Sequence, residues 1–511
     1  MEKSPEKDIM RSCVDTAIDE NLNMLKKLFF ATVNKDFISR RFKTCGFEAV
    51  LVYIEGMSGG DKMNEGILEP CLTATAPENL AVNDRADYMI QSVLNISDIE
   101  KTDLISELVE SLLAGKSALI LDGCDQALLL ETRAYEKRSV ERAQNEPALI
   151  GSQQGFIENL RTNITLVRRM VRSPALVTEL VSVGSQIPTQ AAIMYIKGVV
   201  DEKILDTARR RILSLNVDHV ENSGQLMSLI EDSSFQMIPQ ILQTERPDRA
   251  AHSLVDGQIA ILLDNSPYAL IAPITIFHLL HATDDSYLRW QYGTFTRVLR
   301  LLASLVALFL PAIYIALTSF HQHLIPLDLL TSIAETRAKV PFPILIEMLI
   351  LEFSFYLINE AGTRMPSQIG SALGIVGGLI LGQAAVAADL ISPILIIIVA
   401  ISGLCSYVAP VYGLTIAMEI LRLFAIFMAA LLGLIGVIIT GFIYCCGLCA
   451  AKSMGISMMA PFSPYRPHNP DLVTRLPVWM QKRKLFIARK DSWLKKTDGS
   501  DMREWKEDGE K

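Results

Sequence analysis

The sequence predicts an α+β membrane protein, with a cytosolic two-part α/β N-terminal region followed by an α-helical transmembrane bundle of about four spans plus a re-entrant or interfacial segment. Three observations carry this. Apolar residues make up 50% of the 511-residue chain, and the mean hydropathy is positive, above the usual level for a soluble protein. The long charge-free runs fall almost entirely between residues 301 and 451. Before residue 300, charges recur every few positions, and β-rich apolar segments alternate with segments of helical periodicity. The expected domains are therefore residues 1–145 and 146–300 as two α/β subdomains, 301–451 as the membrane domain, and 452–511 as a basic cytoplasmic tail.

In the first subdomain, Phe47–Ile54 (FEAVLVYI) has strand composition and is closed by Gly56. Asp103–Ala114 places Leu104, Leu108 and Leu112 on one helical face. Ser117–Leu121 and Ala127–Thr132 are short apolar strands, with Asp122-Gly123 starting a hairpin-type turn between them. Polar Asn145–Ser152, with Pro147 and Gly151, marks a linker. Beyond it, Phe156–Arg172 puts Phe156, Leu160, Ile164, Val167 and Val171 on one face, with Arg161, Arg168, Arg169 and Arg172 largely off it. The plainer reading is a helix on its sheet with solvated arginines, and the alternative is a basic helix on a membrane surface. Strands are expected at Ala175–Val183, Gln190–Val200 and Asp256–Asp264, and helices at Glu202–Ser214 and Gly224–Ile230.

About 20 apolar residues are needed to cross the hydrocarbon core as a helix. Leu301–Phe320 (kinked at Pro311), Met365–Ala388, Leu390–Met418 and Leu423–Ala451 meet this as four spans. Arg289, Arg297 and Arg300 precede the first, and a basic tail follows the last, so both ends should be cytoplasmic and the crossings even in number. On that parity Val340–Leu357, with Glu347 and Glu352, should be re-entrant or interfacial. Carboxylates at that depth mark a functional site unless they only pair structurally, so Glu347 and Glu352 are pore or gating candidates, and Gln383 is named with them. Glu335, Arg337, Lys339, Glu360 and Arg364 are the charges near enough in sequence to pair with the two glutamates. Gly370, Gly374, Gly378 and Gly382 recur every four residues and form a helix-packing stripe, either within the chain or between subunits.

A net charge of −8 gives no footprint for nucleic acid. The eight cysteines are irregularly spaced, which suits a reducing compartment, and the charged start MEKSPEKDIMRSCVDTAIDE contains no signal peptide. No phosphate loop, dinucleotide fingerprint, zinc pattern or nucleophile elbow is present, so neither enzyme activity nor a cofactor is expected. His278-x-x-His281 beside Asp284 and Asp285 lacks the companion ligands of a metal site. Cys446-x-x-Cys449 lies at a helix end, where lipid contact or acylation is the expectation.

Gly155–Pro174 (GFIENLRTNITLVRRMVRSP), Asp284–Leu302 (DDSYLRWQYGTFTRVLRLL) and Thr318–Ile333 (TSFHQHLIPLDLLTSI) resemble the A-subunit family of GerA-type spore germinant receptors. Val340–Pro343 (VPFP), Glu360–Pro366 (EAGTRMP) and Gly370–Pro393 (GSALGIVGGLILGQAAVAADLISP) do the same, collinearly from about residue 145 to Pro464, while residues 1–140 match more loosely. The resemblance implies a spore-forming bacterium and the inner spore membrane. It also implies a B-type transporter-like subunit and a C-type lipoprotein as partners. Self-association as a pentamer would then form an ion channel whose opening triggers germination. The SpoVAF-type accessory paralogue within the family, and a non-conducting membrane scaffold, are the competing expectations.

Overall fold

The computed structural model describes residues 9–75, 81–134, 143, 146, 150–364, 382–465 and parts of 471–489. The chain divides into two compact units. One holds Met1–Ser234, Ile241–Pro273 and Lys482–Lys511, and the other Phe235–Gln240 and Ile274–Gln481.

The first unit contains two five-stranded sheets. The first comprises β1 (Phe37–Thr44), β2 (Phe47–Ile54), β3 (Ile99–Thr102), β4 (Ser117–Leu121) and β5 (Ala127–Leu130), in the order β1-β2-β4-β5-β3. The second comprises β6 (Leu176–Val183), β7 (Thr189–Ile196), β8 (Leu242–Thr244), β9 (Ile259–Leu263) and β10 (Ala269–Ala272), in the order β6-β7-β9-β10-β8. Every pairing is antiparallel. The two sheets are copies of one unit. Helix α1 (Ile18–Leu28), β2, helix α2 (Ile105–Leu113), β4 and β5 begin 142 residues before helix α3 (Leu160–Met170), β7, helix α6 (Pro247–Val255), β9 and β10 respectively. Helices α4 (Glu202–Leu213) and α5 (Ser223–Ile230) complete the second copy. Local chemistry repeats at the same interval. Asn21 brackets the backbone of Asp15 with its amide, and Asn163 does so at Ile157. The hydroxyl of Thr102 accepts from Leu104 N–H, as that of Thr244 does from Arg246 N–H. The turn after β4 carries Gly123 at φ +83°, and that after β9 carries Asn265 at φ +62°, a left-handed position that glycine and asparagine tolerate best.

In the first repeat the sheet is covered on both faces. Leu22, Leu25, Leu108 and Leu112 pack on Val50, Val52 and Ile120, while Ile67, Cys71, Met89 and Val93 pack on Leu51, Leu119 and Leu128. That double burial explains why β4 and β5 are continuously apolar rather than alternating. The repeats are joined through a buried ion pair. Asp36 accepts from Arg168 Nε at 2.9 Å and Nη2 at 2.7 Å and from the Thr178 hydroxyl at 2.7 Å, and Lys35 N–H donates to Thr178 C=O. Arg168 is therefore not one of a row of solvated arginines; it is 1% exposed, because Asp36 lies across the interface to receive it.

The second unit is built on helices α7 (Trp290–Ser319), α8 (Leu327–Arg337), α9 (Ile344–Arg364), α10 (Pro393–Ser406), α11 (Tyr412–Leu432) and α12 (Leu434–Ala450). Among the described residues two helices, α7 and α11, are long and apolar enough to cross a membrane; α10 and α12 are shorter apolar helices. Three expectations change here. Helix α7 starts at Trp290 and continues through Pro311, its early arginines being neutralised by acids. Leu390–Met418 and Leu423–Ala451 are not single helices. The chain breaks at 407–411, where Pro410 cannot continue the helix, and again at Gly433 with φ +63°, so α11 runs through Glu419 and Arg422. Val340–Leu357 contains no re-entrant turn. From Ile344 it is one helix of 21 residues, about 31 Å long at 1.5 Å per residue.

The late part of α7 (Ala312, Ile315) packs with the early parts of α9 (Ile344, Met348) and α10 (Leu395) and the late part of α11 (Ala425, Ala429). Helices α9 and α10 thus run opposite to α7 and α11. The turn at Gly433, seated against Phe320 and His321, sends α12 back the same way.

Candidate functional site: buried charges among apolar helices

Glu347 and Glu352 stand five residues apart on α9, about 140° around the helix at 100° per residue, so they address different neighbours. Both are 0% exposed. Glu347 accepts from Ser392 N–H, just before α10, at 3.2 Å, and its other oxygen stands 3.7 Å from Arg337 Nε at the end of α8. Glu352 pairs with Arg422 of α11 at 3.0 Å. Arg422 also donates to the Tyr356 hydroxyl at 3.1 Å and weakly to Ser406 Oγ at 3.4 Å, and its guanidinium lies 5.7 Å from the Tyr356 ring. Tyr356 in turn donates to the Glu419 carbonyl at 3.2 Å. Helix α9 therefore carries two charge sites of different quality. The Glu352 site has a fully buried counter-charge at 3.0 Å, itself held by Tyr356. The Glu347 site has only a distant, partly exposed partner. Glu347 Oε1 is buried there without a hydrogen-bond partner, as are both carboxylate oxygens of Glu352 and Arg422 Nε at the other site, and the Tyr314 and Ser392 hydroxyls lie beside Glu347.

A second charged knot fixes the start of α7. Asp285 receives Arg300 Nη1 at 2.5 Å and Nη2 at 3.0 Å, with Arg297 Nε at 3.6 Å, and Arg297 also reaches Asp471 at 3.1 Å. Arg475 donates to the carbonyls of Leu288 (2.9 Å) and Ser286 (2.6 Å); burial, then neighbouring Arg297, pulls its pKa down against the pull of Asp471. Within the basic tail, residues 471–475 satisfy buried groups at the base of α7.

Of the expected packing stripe, Gly370, Gly374 and Gly378 lie outside the described residues. Gly382 begins a helical run at 382–387 with no atom within 4 Å of an added Cβ, and Gln383 in that run is exposed. His278 uses Nδ1 to cap its own helix at Thr275, and His281 Nε2 sits 2.7 Å from the Leu472 carbonyl. Among the described residues no group of three or more His, Cys, Asp or Glu side chains converges as a metal site. Cys445, Cys446 and Cys449 are exposed on α12. Sequence reasoning missed Arg422, which fell in the gap between two expected spans. A paired Glu419 and Arg422 inside 50 residues of otherwise uncharged chain was the available signal.

The family model for the Bacillus/Clostridium GerA spore germination protein matches residues 23–486. Spore germination protein KA of Bacillus subtilis is 34% identical over 89% of this chain and 82% of its own length. GerQA of Bacillus cereus is 34% identical over 93% and 92% respectively, and the uncharacterized membrane protein YfkQ of Bacillus subtilis 35% identical over 88% and 87%. Among solved structures, the N-terminal domain of the A subunit of the Bacillus megaterium spore germinant receptor GerK3 aligns at 27% identity and a TM-score of 0.40, over 52% of this chain and 97% of that one.

Proposed function

The chain belongs to the GerA family of spore germination proteins, and from that premise we propose that it is the A-type subunit of a nutrient-responsive germination receptor. In this reading it oligomerises, as a pentamer, into a ligand-gated ion channel of the inner spore membrane, beside a transporter-like B subunit and a lipoprotein C subunit. Helix α9 crosses the membrane. The span expected at Met365–Ala388 lies mostly outside the described residues; both ends are cytoplasmic in this reading, which requires an even number of crossings.

The observation that carries this reading is the unequal pair of buried carboxylates in an apolar bundle. A charge at such depth is expensive and is kept for a reason. Glu352 has a structural reason in Arg422. Glu347 has only a counter-charge 3.7 Å away and partly exposed, with one free oxygen and the Tyr314 and Ser392 hydroxyls beside it, where water or a passing cation would find ligands. One such acid per subunit gives a symmetric oligomer a cation-favouring ring. Glu347→Gln should accumulate in spores at the normal level and release less potassium on germinant addition. Glu352→Gln should lower the protein level, because it strands Arg422, and the double variant Glu352→Met/Arg422→Leu should restore that level. Normal potassium release by Glu347→Gln would remove Glu347 from the permeation path.

A further inference from the structure

The two repeats differ at one segment of equal length, the link from the last helical turn into the edge strand. In the first repeat this is residues 89–98. Met89 and Val93 are buried there, and Leu94 and Ile96 pack on the same core cluster. The corresponding residues of the second repeat are 231–240. Phe235, the counterpart of Val93, is 98% exposed, and Met237 is 54% exposed. Phe235–Gln240 separates from its own repeat and belongs to the helical unit. Its Pro239 packs on Gly413, where an added Cβ would lie 2.9 Å from Pro239 Cγ, at the first turn of α11 beside the exposed Tyr412.

This placement bounds the depth of Phe235. Helix α11 has 21 residues, about 31 Å at 1.5 Å per residue, which matches the hydrocarbon core, so Gly413 stands at its boundary. Phe235 is four residues from Pro239, at most about 13 Å along an extended chain, and the headgroup layer adds roughly 5–8 Å on each side of the core. A lone exposed apolar side chain needs no explanation, but a fully exposed Phe followed two positions later by an exposed Met does. An aromatic ring at that level is stabilised by the amphipathic interface, where Trp and Tyr gather in membrane proteins. The exposed Trp290, Tyr292 and Phe295 at the start of α7, the helix parallel to α11, supply the same chemistry at the same end of the bundle.

We propose that Phe235 and Met237 form a membrane-interface anchor, inserted among phospholipid headgroups and upper acyl chains. This segment would thereby hold the bilayer surface with Phe235, whose counterpart Val93 is spent on the core of the first repeat. The inference rests on the reading that α7 and α11 cross the membrane.

The test uses the full-length chain in nanodiscs, with Trp290, Trp479, Trp493 and Trp505 replaced by Phe and one new tryptophan, either Phe235→Trp or, as a depth control, Leu305→Trp on the exposed face of α7. Both should lose emission when the lipids carry bromine on their acyl chains, and Phe235→Trp should resist quenching by aqueous acrylamide. If Leu305→Trp is quenched by brominated lipid while Phe235→Trp is quenched only by acrylamide, the loop faces water and the anchor is refuted. Protection of Phe235→Trp from both quenchers refutes it in favour of a protein partner, such as a second copy. A Leu305→Trp that ignores brominated lipid would instead defeat the membrane reading itself. Met237→Trp repeats the measurement should Phe235→Trp fail to fold.

Discussion

The two repeats of the sheet-containing unit share helices, strand order and even individual side-chain brackets, yet they face different neighbours. Lys26 on α1 is exposed; its counterpart Arg168 on α3 is buried against Asp36 of the other repeat. Gly115 after α2 and Gly257 after α6 have almost the same backbone, at φ +93° and +92°. The first offers its carbonyl to Ser58 at 3.1 Å, whereas the second is covered by Ala488 of the tail, whose Cα would stand 2.7 Å from an added Cβ. Duplicated architecture thus separates what the fold requires from what this protein does with it. Features common to both copies belong to folding, and features confined to one belong to coupling. The second repeat carries the differences: it receives the tail, reaches Asp36 and sends Phe235–Gln240 to the helical unit.

The largest expected contrast is between equivalent helix positions. Arg168→Ala should cost about 3–5 kcal/mol in chemical denaturation of the full chain, because it leaves Asp36 buried and unpaired, while Lys26→Ala should stay within about 0.5 kcal/mol. Equal losses would erase the distinction between the repeats. The next contrast concerns the two glycines. Alanine at either forces a left-handed conformation costing about 1–3 kcal/mol. Gly257→Ala should in addition displace the tail, making the chain near residues 484–489 susceptible to protease, where Gly115→Ala leaves it protected.

A smaller contrast depends on pH. On β6, burial alone would raise the Glu179 pKa, but hydrogen bonds from Arg209 and Tyr195 stabilise its charged form and the net shift is below 4.5. A depressed folded pKa contributes stability above pH 4.5 and loses it as pH falls through the folded value. The first repeat has exposed Arg40 at the equivalent register and no such acid. Glu179→Gln should therefore lower stability at neutral pH and flatten its decline below pH 4.5. An unchanged acid limb would show that the Glu179 cluster contributes little.

Much of this was legible in the sequence. Segments whose periodicity was decisive, such as FEAVLVYI and SALIL, became strands within a residue of expectation, as did the helices at 202 and 223. Strand β1 was not legible, because FISRRFKT lies on a sheet edge, where its arginines and lysine reach solvent and hide the pattern. The duplication also escaped notice, since it is conserved in spacing and bracket chemistry rather than in runs of identical residues. In the helical unit, hydropathy located the apolar region but merged α10 with the start of α11. It treated Glu419 and Arg422 as a boundary because a charge is read as water until its partner is known. The partner, Glu352, was recognised as a site, but an ion pair between residues 70 positions apart is a property of packing and not of local sequence.

Cation conduction through a path that depends on Glu347 is the activity proposed for this chain. Potassium efflux from liposomes containing the purified full-length chain tests it most directly, with Glu347→Gln incorporated at equal density for comparison. The wild type should give efflux above that of protein-free liposomes, and Glu347→Gln should show a marked reduction. Liposomes that hold potassium as tightly as protein-free ones would contradict it and leave a non-conducting scaffold in its place.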